Sequence, residues 1–216
     1  MSKILMITGD GGEALEVMYP YQRLLEEGYE VEIAAPSVKK IQTVVHDVEE
    51  GFDTYTEKLG YKVDANLSFT DVKPEEYVGL VIPGGRAPEY IRNDPDVKRI
   101  VRYFFDNNLP VAHLCHAPLV LAAAGVLQGR QCAAFPFLQP DVESAGATFV
   151  DGGGVVDGNM VSARAWFDHP TWMREFMRLL GRSGVSSARD SSLEDKITEL
   201  ERKLAALEFK VAQDRV

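Results

Sequence analysis

Hydrophobic positions divide the chain into short apolar runs separated by amphipathic stretches. Mostly apolar runs of strand length occupy residues 3–8, 31–35, 78–82 and 109–115. Between them, apolar residues recur at three- and four-residue steps over 14–27 and 95–104, a spacing that predicts helices. Apolar strands that alternate with helices are typical of a mostly parallel sheet covered on both faces. The pattern therefore predicts a three-layer α/β/α sandwich.

The pattern changes in two regions. Residues 37–66 are polar with short alternating pieces, which predicts a hairpin excursion off the main sheet, and His46 and Asp47 within it are expected to form a surface pair. After residue 125 the chain predicts strands at 131–135 and 147–150, a helix at 140–145, a hairpin at 155–161 and a final helix from His169.

Residues 109–125, LPVAHLCHAPLVLAAAG, predict a buried strand that turns at Cys115 directly into an apolar helix. Such an elbow places the side chain at its apex above the carboxyl edge of the sheet, near the N–H groups of the next helix. Those groups and the helix dipole are expected to favour a thiolate, the form that attacks carbonyl carbon. His116 follows as an adjacent base. A core cysteine at a strand end is the alternative.

Three further residues follow predicted strands. Glu13 lies where the first turn meets the first helix, and Gly84 and Gly85 follow the run at 78–82. Ligands of parallel sheets bind outside the carboxyl ends of the strands, so these residues and Cys115 are expected on one rim. Two alternatives remain open: Glu13 as a first-turn acid that complements the helix dipole, and the glycines as a plain tight turn.

Composition narrows the possible functions. The 216 residues are 45% hydrophobic, enough for one domain, and the net charge of -10 argues against nucleic acid or anionic membranes as partners. Two cysteines without a signal sequence or a membrane-length apolar run suggest a reduced, cytoplasmic protein. Zinc-site spacing and the G-x-G-x-x-G dinucleotide pattern are absent from the sequence, so neither a metal nor a cofactor is expected.

Several motifs together carry a family resemblance. They are Glu13 upstream of Y-P-Y, P-G-G-R-A-P-E at 83–89, A-H-L-C-H-A-P at 112–118 and a late V-D-G-N at 156–159. In this order they resemble the ThiJ/PfpI superfamily over about residues 1–181, and most of all the branch that includes plant glyoxalase III-like proteins. The resemblance implies a flavodoxin-like sheet with a nucleophile elbow.

The resemblance also implies catalytic roles. Cys115 would be the nucleophile, and Glu13 the carboxyl group that hydrogen-bonds it and moves protons. His116 would be the neighbouring base or its orienter, and Glu89 would reach His116 from an adjacent subunit.

An oxyanion hole would be formed by the backbone N–H groups of Gly85 and His116, with Gly84 as a further candidate. The sequence departs from the usual C-H-G at Ala117, which is expected to alter the pocket's shape. It also has Phe135 where related sequences often carry tyrosine, which removes a hydroxyl group.

The implied function is that of a cofactor-independent enzyme of the glyoxalase III or deglycase type. It would convert 2-oxoaldehydes such as methylglyoxal to hydroxy acids through a hemithioacetal at Cys115. Two alternatives stay open: a PfpI-type intracellular cysteine peptidase or amidase, and a stress-response redox sensor or holdase chaperone in which Cys115 is oxidised.

The C-terminal region has a different pattern. Residues 182–192 are small and polar and predict a linker, whereas 193–211 carry apolar residues at alternating four- and three-residue steps with Glu at e and Lys at g. This charge register predicts a parallel coiled coil that joins copies of the chain into a trimer or a hexamer. An amphipathic helix packed on the domain is the alternative.

Overall fold

The structure is a computed structural model that describes residues 2–182. Within this range the strands are β1 (Lys3–Ile7), β2 (Glu30–Ala35), β3 (Lys39–Asp47), β4 (Thr56–Ala65), β5 (Leu67–Ser68), β6 (Tyr77–Ile82), β7 (Val111–Leu114), β8 (Gln131–Cys132), β9 (Thr148–Phe149), β10 (Val155–Asp157) and β11 (Met160–Ala163). The α-helices are α1 (Ala14–Glu26), α2 (Ala87–Ile91), α3 (Pro95–Asp106), α4 (Pro118–Ala124), α5 (Gln139–Ser144) and α6 (His169–Arg182). The predicted coil at 193–211 and nearly all of the predicted linker lie outside the described residues.

Seven strands form the central sheet in the order β10-β11-β7-β6-β1-β2-β5. All neighbours pair in parallel except β10 and β11, which form the predicted antiparallel hairpin. β1, β6 and β7 lie side by side at the centre, so the turns that follow them meet at the same edge. The predicted mostly parallel sheet is confirmed.

Apolar side chains cover both faces of the sheet. One buried cluster includes Phe104 of α3 and Val120 of α4, and the other includes Leu24 of α1 and Trp172 of α6. Burying one such side chain contributes roughly 1.5–3 kcal/mol, so the two clusters hold the helices against the sheet. The predicted three-layer arrangement is confirmed.

The predicted excursion at 37–66 contains an antiparallel pair, β3 with β4, that forms its own two-stranded sheet. Its first strand runs along the turn after β1: the Gly11 N–H donates to the Gln42 carbonyl at 2.8 Å, and the Val44 N–H to the Gly12 carbonyl at 2.9 Å. These bonds fix the β3–β4 hairpin beside the carboxyl edge of the central sheet.

The predicted strands at 131–135 and 147–150 are shorter than expected and pair with each other as β8 and β9, outside the central sheet. The chain leaves β8 because the Phe135 N–H donates to the Cys115 carbonyl at 3.1 Å instead of continuing a strand ladder. This departure carries the Phe135 ring to the predicted elbow.

Candidate active site

Cys115 occupies the turn between β7 and α4 with a φ of 57°, in the left-handed region. For a residue other than glycine this conformation costs on the order of 1–3 kcal/mol and persists only where the surroundings enforce it. Here the Cys115 N–H donates to the Ala163 carbonyl at 3.1 Å, and the Cys115 carbonyl accepts from Phe135. The side chain is 2% exposed. The structure therefore has the elbow that the sequence predicts, and the backbone at its apex is strained.

Glu16 is the carboxylic acid in contact with Cys115. The thiol donates a hydrogen bond to its carboxyl group, and the Gly84 N–H donates to Oε2 at 2.8 Å. The residue is fully buried, and burial, helped by the charge of Glu13, raises the pKa of Glu16 to about 8. At neutral pH Glu16 therefore holds a proton beside the sulfur.

The prediction that Glu13 hydrogen-bonds Cys115 is wrong by one helical turn. The Glu13 Oε2 accepts the backbone N–H of Glu16 at 2.8 Å and caps α1, which satisfies a donor that the first turn leaves free. Burial raises the pKa of Glu13 as well. Its place at the start of α1 is the one that the alternative interpretation, an acid at the helix N-terminus, describes.

A signal for Glu16 is present in the sequence. Glu16, Pro20 and Leu24 follow one another at four-residue steps and are buried on the same face of α1. An acid within an apolar stripe is rarely buried without a partner. This pattern distinguishes Glu16 from the acids on the solvent side of the helix.

The Cys115 thiol is not the ready thiolate that the helix dipole was expected to produce. Burial and the neighbouring Glu16 raise the pKa of Cys115 well above its ordinary value, against the opposing effect of the N–H groups of Gly85 and His116. Desolvation of a fully buried sulfur outweighs the backbone donors because the charged form loses its hydration. Both influences favour the thiol over the thiolate in the resting site.

His116 lies directly against the sulfur, with Nδ1 3.2 Å from Cys115 Sγ. Burial lowers the pKa of His116 to about 4, so its ring is neutral at physiological pH. A neutral imidazole has a free ring nitrogen that can take the thiol proton, and its low pKa means that it passes this proton on readily. The structure thus brings His116 and Cys115 together, as expected.

The two glycines after β6 have different tasks. The Gly85 N–H points at the Cys115 sulfur together with that of His116, which is the pair expected to form the oxyanion hole. The prediction that the Gly84 N–H is a further donor of the oxyanion hole is wrong, because this N–H donates to the Glu16 carboxyl group. A side chain at Gly84 would place its Cβ 2.5 Å from the Cβ of Cys115, so the close approach requires glycine.

Glu89 lies on α2, and its side chain faces solvent. An exposed position is what a residue that acts on a second subunit requires. The expected contact with His116 of an adjacent subunit stays a prediction.

The β3–β4 hairpin contributes residues that sequence reasoning missed. His46 is 4% exposed and not part of a surface pair, although Asp47 beside it is exposed. The His46 Nε2 lies 3.0 Å from Glu57 Oε2, and its ring centroid is 4.4 Å from that of Tyr55. Because these contacts join β3 to β4 and to the preceding loop, a linear pattern gives little sign of them.

Two aromatic rings lie against His116. Phe135 stacks on the imidazole with 5.5 Å between ring centroids, and Tyr55 meets it edge-on at 6.0 Å. Tyr55 and Phe135 also contact each other edge-on at 5.4 Å. The chemistry-bearing groups thus lie behind an aromatic wall supplied by the hairpin and by the segment after β8.

Within residues 2–182, no group of three or more His, Cys, Asp or Glu side chains is arranged to hold a metal ion. None of the helices in this part of the chain has the length and apolar character needed to cross a membrane.

Solved structures with the same architecture support the described topology. Drosophila melanogaster DJ-1beta superposes with a TM-score of 0.70 at 22% identity, covering 84% of this chain and 92% of that one. A two-domain protein from Anabaena variabilis with DJ-1/ThiJ/PfpI-like and ferritin-like domains gives 0.70 at 27% identity, covering 85% of this chain and 50% of that one. The likeness extends through most of the described residues.

Sequence relatives are closer. A deglycase from Pyrococcus horikoshii is 44% identical over 178 residues, which are 82% of this chain and 99% of the relative. The Arabidopsis thaliana protein DJ-1 homolog D is 40% identical over 186 residues, 83% of this chain and 48% of the plant protein. The profile of the DJ-1/PfpI family matches residues 2–179, the range that contains the elbow, the two glycines and both buried acids. With this coverage, the chain belongs to the DJ-1/PfpI family.

Proposed function

We propose that the protein is an enzyme of the deglycase and glyoxalase III type, with Cys115 as its nucleophile. The observation that carries the proposal is the arrangement at the elbow: the sulfur contacts the Glu16 carboxyl group and lies 3.2 Å from His116 Nδ1. The deglycase names of the archaeal relatives support the same class of reaction. A buried thiol also suits a small carbonyl compound better than a peptide.

The first step is attack on an aldehyde. His116 Nδ1 accepts the thiol proton while the sulfur bonds to the aldehyde carbon, C1, of a 2-oxoaldehyde. The N–H groups of Gly85 and His116 hold the oxygen as it gains charge. Return of the proton from His116 to that oxygen gives a neutral hemithioacetal.

The second step transfers hydrogen from C1 to C2. His116 removes the C1 proton while Glu16, which holds a proton at neutral pH, protonates the C2 oxygen, and this gives an enediol. His116 then delivers its proton to C2, and the proton of the C1 hydroxyl returns to Glu16. This leaves a thioester of a 2-hydroxy acid, which water hydrolyses to free the sulfur. C1 is oxidised and C2 is reduced within one molecule, so no external oxidant is needed.

The same attack can act on an early adduct between a 2-oxoaldehyde and an amine. The C1–N bond breaks as the sulfur bonds to C1, and the thiol proton leaves with the amine through His116. The product is the same hemithioacetal, and the later steps are shared. Both substrates should therefore yield the same hydroxy acid.

The test follows methylglyoxal loss and lactate formation with purified protein. Cys115→Ala should abolish turnover, and Glu16→Gln should lower kcat by roughly 100-fold or more, since general acid–base groups contribute about 10²–10⁴. Glu13→Gln is the matched control, because the amide oxygen can still cap α1; it should change kcat by less than about tenfold.

Turnover that survives Cys115→Ala would contradict the proposal. A larger loss in Glu13→Gln than in Glu16→Gln would overturn the assignment of the proton carrier and restore the role expected for Glu13.

We also propose that the working protein is an oligomer in the cytoplasm, in which Glu89 of one chain approaches His116 of another. The exposure of Glu89 on α2 supports this arrangement.

A further inference from the structure

We propose that Tyr55 sets the size of the substrate that reaches Cys115. The inference rests on the proposed function and deepens it by restricting the substrates to small, unbranched carbonyl compounds. The observation behind it is that the ring of Tyr55 stands at the His116 side of the elbow, in a loop that belongs to neither face of the central sheet.

Tyr55 is in contact with His116, the residue next to the reacting sulfur. Its ring meets His116 and Phe135 edge-on at centroid distances of 6.0 and 5.4 Å. Burial is the main cause of the raised pKa of its phenol, so the ring is partly enclosed by the surrounding side chains. The thiol itself is only 2% exposed, so a substrate must pass close to this wall.

A chain of polar contacts holds Tyr55 in place from behind. His46 packs on its ring at 4.4 Å and bonds to Glu57 at 3.0 Å through Nε2. Glu57 in turn accepts two hydrogen bonds from Arg86, from Nε at 2.7 Å and from Nη2 at 2.9 Å. Such bidentate pairs fix geometry even where solvent screens their energy.

This series of contacts connects the aromatic wall to the oxyanion donors. Arg86 directly follows Gly85, whose N–H points at the sulfur, and its own N–H donates to the Gly11 carbonyl at 2.7 Å. The distance between the Tyr55 ring and the attacked carbon is therefore set by a fixed frame. An apolar wall at a fixed distance rejects groups that are too large for the space.

The experiment compares kcat/KM for methylglyoxal and phenylglyoxal, which differ by a methyl group and a phenyl ring on the same dicarbonyl. In Tyr55→Ala the ratio should move toward phenylglyoxal by about tenfold or more, since differences of this kind in an apolar pocket change selectivity by roughly 10- to 200-fold. Tyr55→Trp should move the ratio in the opposite direction. Tyr55→Phe keeps the ring and should leave the ratio within about threefold.

Tyr61→Ala is the matched control, because Tyr61 is also a hairpin tyrosine but is 72% exposed. It should leave the ratio at the wild-type value. A ratio that is unchanged in both Tyr55→Ala and Tyr55→Trp would overturn the proposal, as would an equal change in the Tyr61 control.

A second measurement separates this inference from the proposed function. The rates at which iodoacetamide and the bulkier N-phenylmaleimide alkylate Cys115 are followed by mass spectrometry of the Cys115 peptide, with no turnover required. Tyr55→Ala should accelerate the bulky reagent selectively, by about tenfold. If this acceleration occurs in a protein that does not convert glyoxals, the size-limiting role of Tyr55 is supported and the proposed function is contradicted. If glyoxals are converted but the Tyr55 variants change neither the kcat/KM ratio nor the ratio of the two alkylation rates, the proposed function is supported and the role of Tyr55 is contradicted.

Discussion

At the residue scale, burial sets the protonation of the groups around Cys115. The folded pKa of Glu16, about 8, exceeds the ordinary value of 4.5, so the folded chain keeps a proton that the unfolded chain releases between these pH values. The contribution of Glu16 to stability is therefore present below about pH 4.5 and falls as pH rises toward 8. Stability is lost over the range in which the site functions, which is the usual cost of a reactive group in a dry environment.

His113 shows the opposite sign. It lies in β7, fully buried, and neither ring nitrogen has a hydrogen-bond partner among the described residues. Burial lowers the pKa of His113 to about 3 from 6.5, so the folded chain holds it neutral while the unfolded chain gains a proton. Its contribution to stability is present above about pH 6.5 and is lost as pH falls toward 3.

We therefore expect His113→Leu to make the free energy of unfolding less dependent on pH between 6.5 and 3. At pH 7 it should raise that free energy by about 1 kcal/mol, because two unpaired buried nitrogens are replaced by an apolar group. Urea denaturation at several pH values measures both effects. Some acid sensitivity should remain, since burial also lowers the pKa of His116 and of His169 to about 4. An unchanged slope would show that His113 does not titrate on unfolding.

At the scale of elements, the turn after β6 leaves no room for a side chain at Gly84. It must pass between Glu16 of α1 and Cys115 of the elbow, and a Cβ at Gly84 would lie 2.5 Å from atoms of both. Neither neighbour can retreat, since one is bonded to the Gly84 N–H and the other is held by the backbone of β11 and of the segment after β8.

Gly84→Ala should consequently lower kcat/KM by about 100-fold or more, because displacements near 1 Å at a reacting centre have effects of that size. Its melting temperature should fall as well. Gly181→Ala is the control: no atom lies within 4 Å of a Cβ there, and alanine in α6 should preserve activity and add up to about 1 kcal/mol of stability. Full activity in Gly84→Ala would contradict the geometry of this turn.

Sequence patterns predicted an element best where all of its signals lie close together in the sequence. The apolar strands, α1, and α3 with its Asp94 cap follow from runs, periodicity and breaker residues within a dozen positions. Glu16 was missed because the resemblance assigns the carboxyl role to Glu13, although the buried stripe of α1 marks Glu16. Tyr55 could not be placed in the same way, since its contacts depend on how the hairpin folds over a distant turn.

At the scale of the whole molecule, the parallel order of β1, β6 and β7 brings Glu16, Gly85 and Cys115 to one edge. That edge was predictable because parallel strands place their carboxyl ends together. The fold class was predictable from the alternation of strands and helices, and the family from its motifs. The relatives named deglycases agree with the predicted class of function. Assembly was predicted from 193–211, outside the described residues, and stays a prediction.

The assembly has a direct test in mixed oligomers of two inactive chains, Cys115→Ala and Glu89→Gln. If Glu89 acts on the neighbouring subunit, exchange creates sites in which Cys115 of one chain faces Glu89 of the other, and turnover returns. Lactate formation before and after mixing measures this, and each variant mixed with itself is the control. No recovery despite exchange, shown by native mass spectrometry, would place Glu89 in its own chain's site or outside catalysis.

The β3–β4 hairpin is a separate two-stranded sheet that shares no strand with the central one. Its loops can therefore change length and sequence without altering the strands that carry Glu16 and Cys115. In an evolving family, the reaction and the choice of substrate would then be inherited on different pieces of chain. Transplanting this hairpin between relatives should exchange what they accept while leaving the chemistry in place.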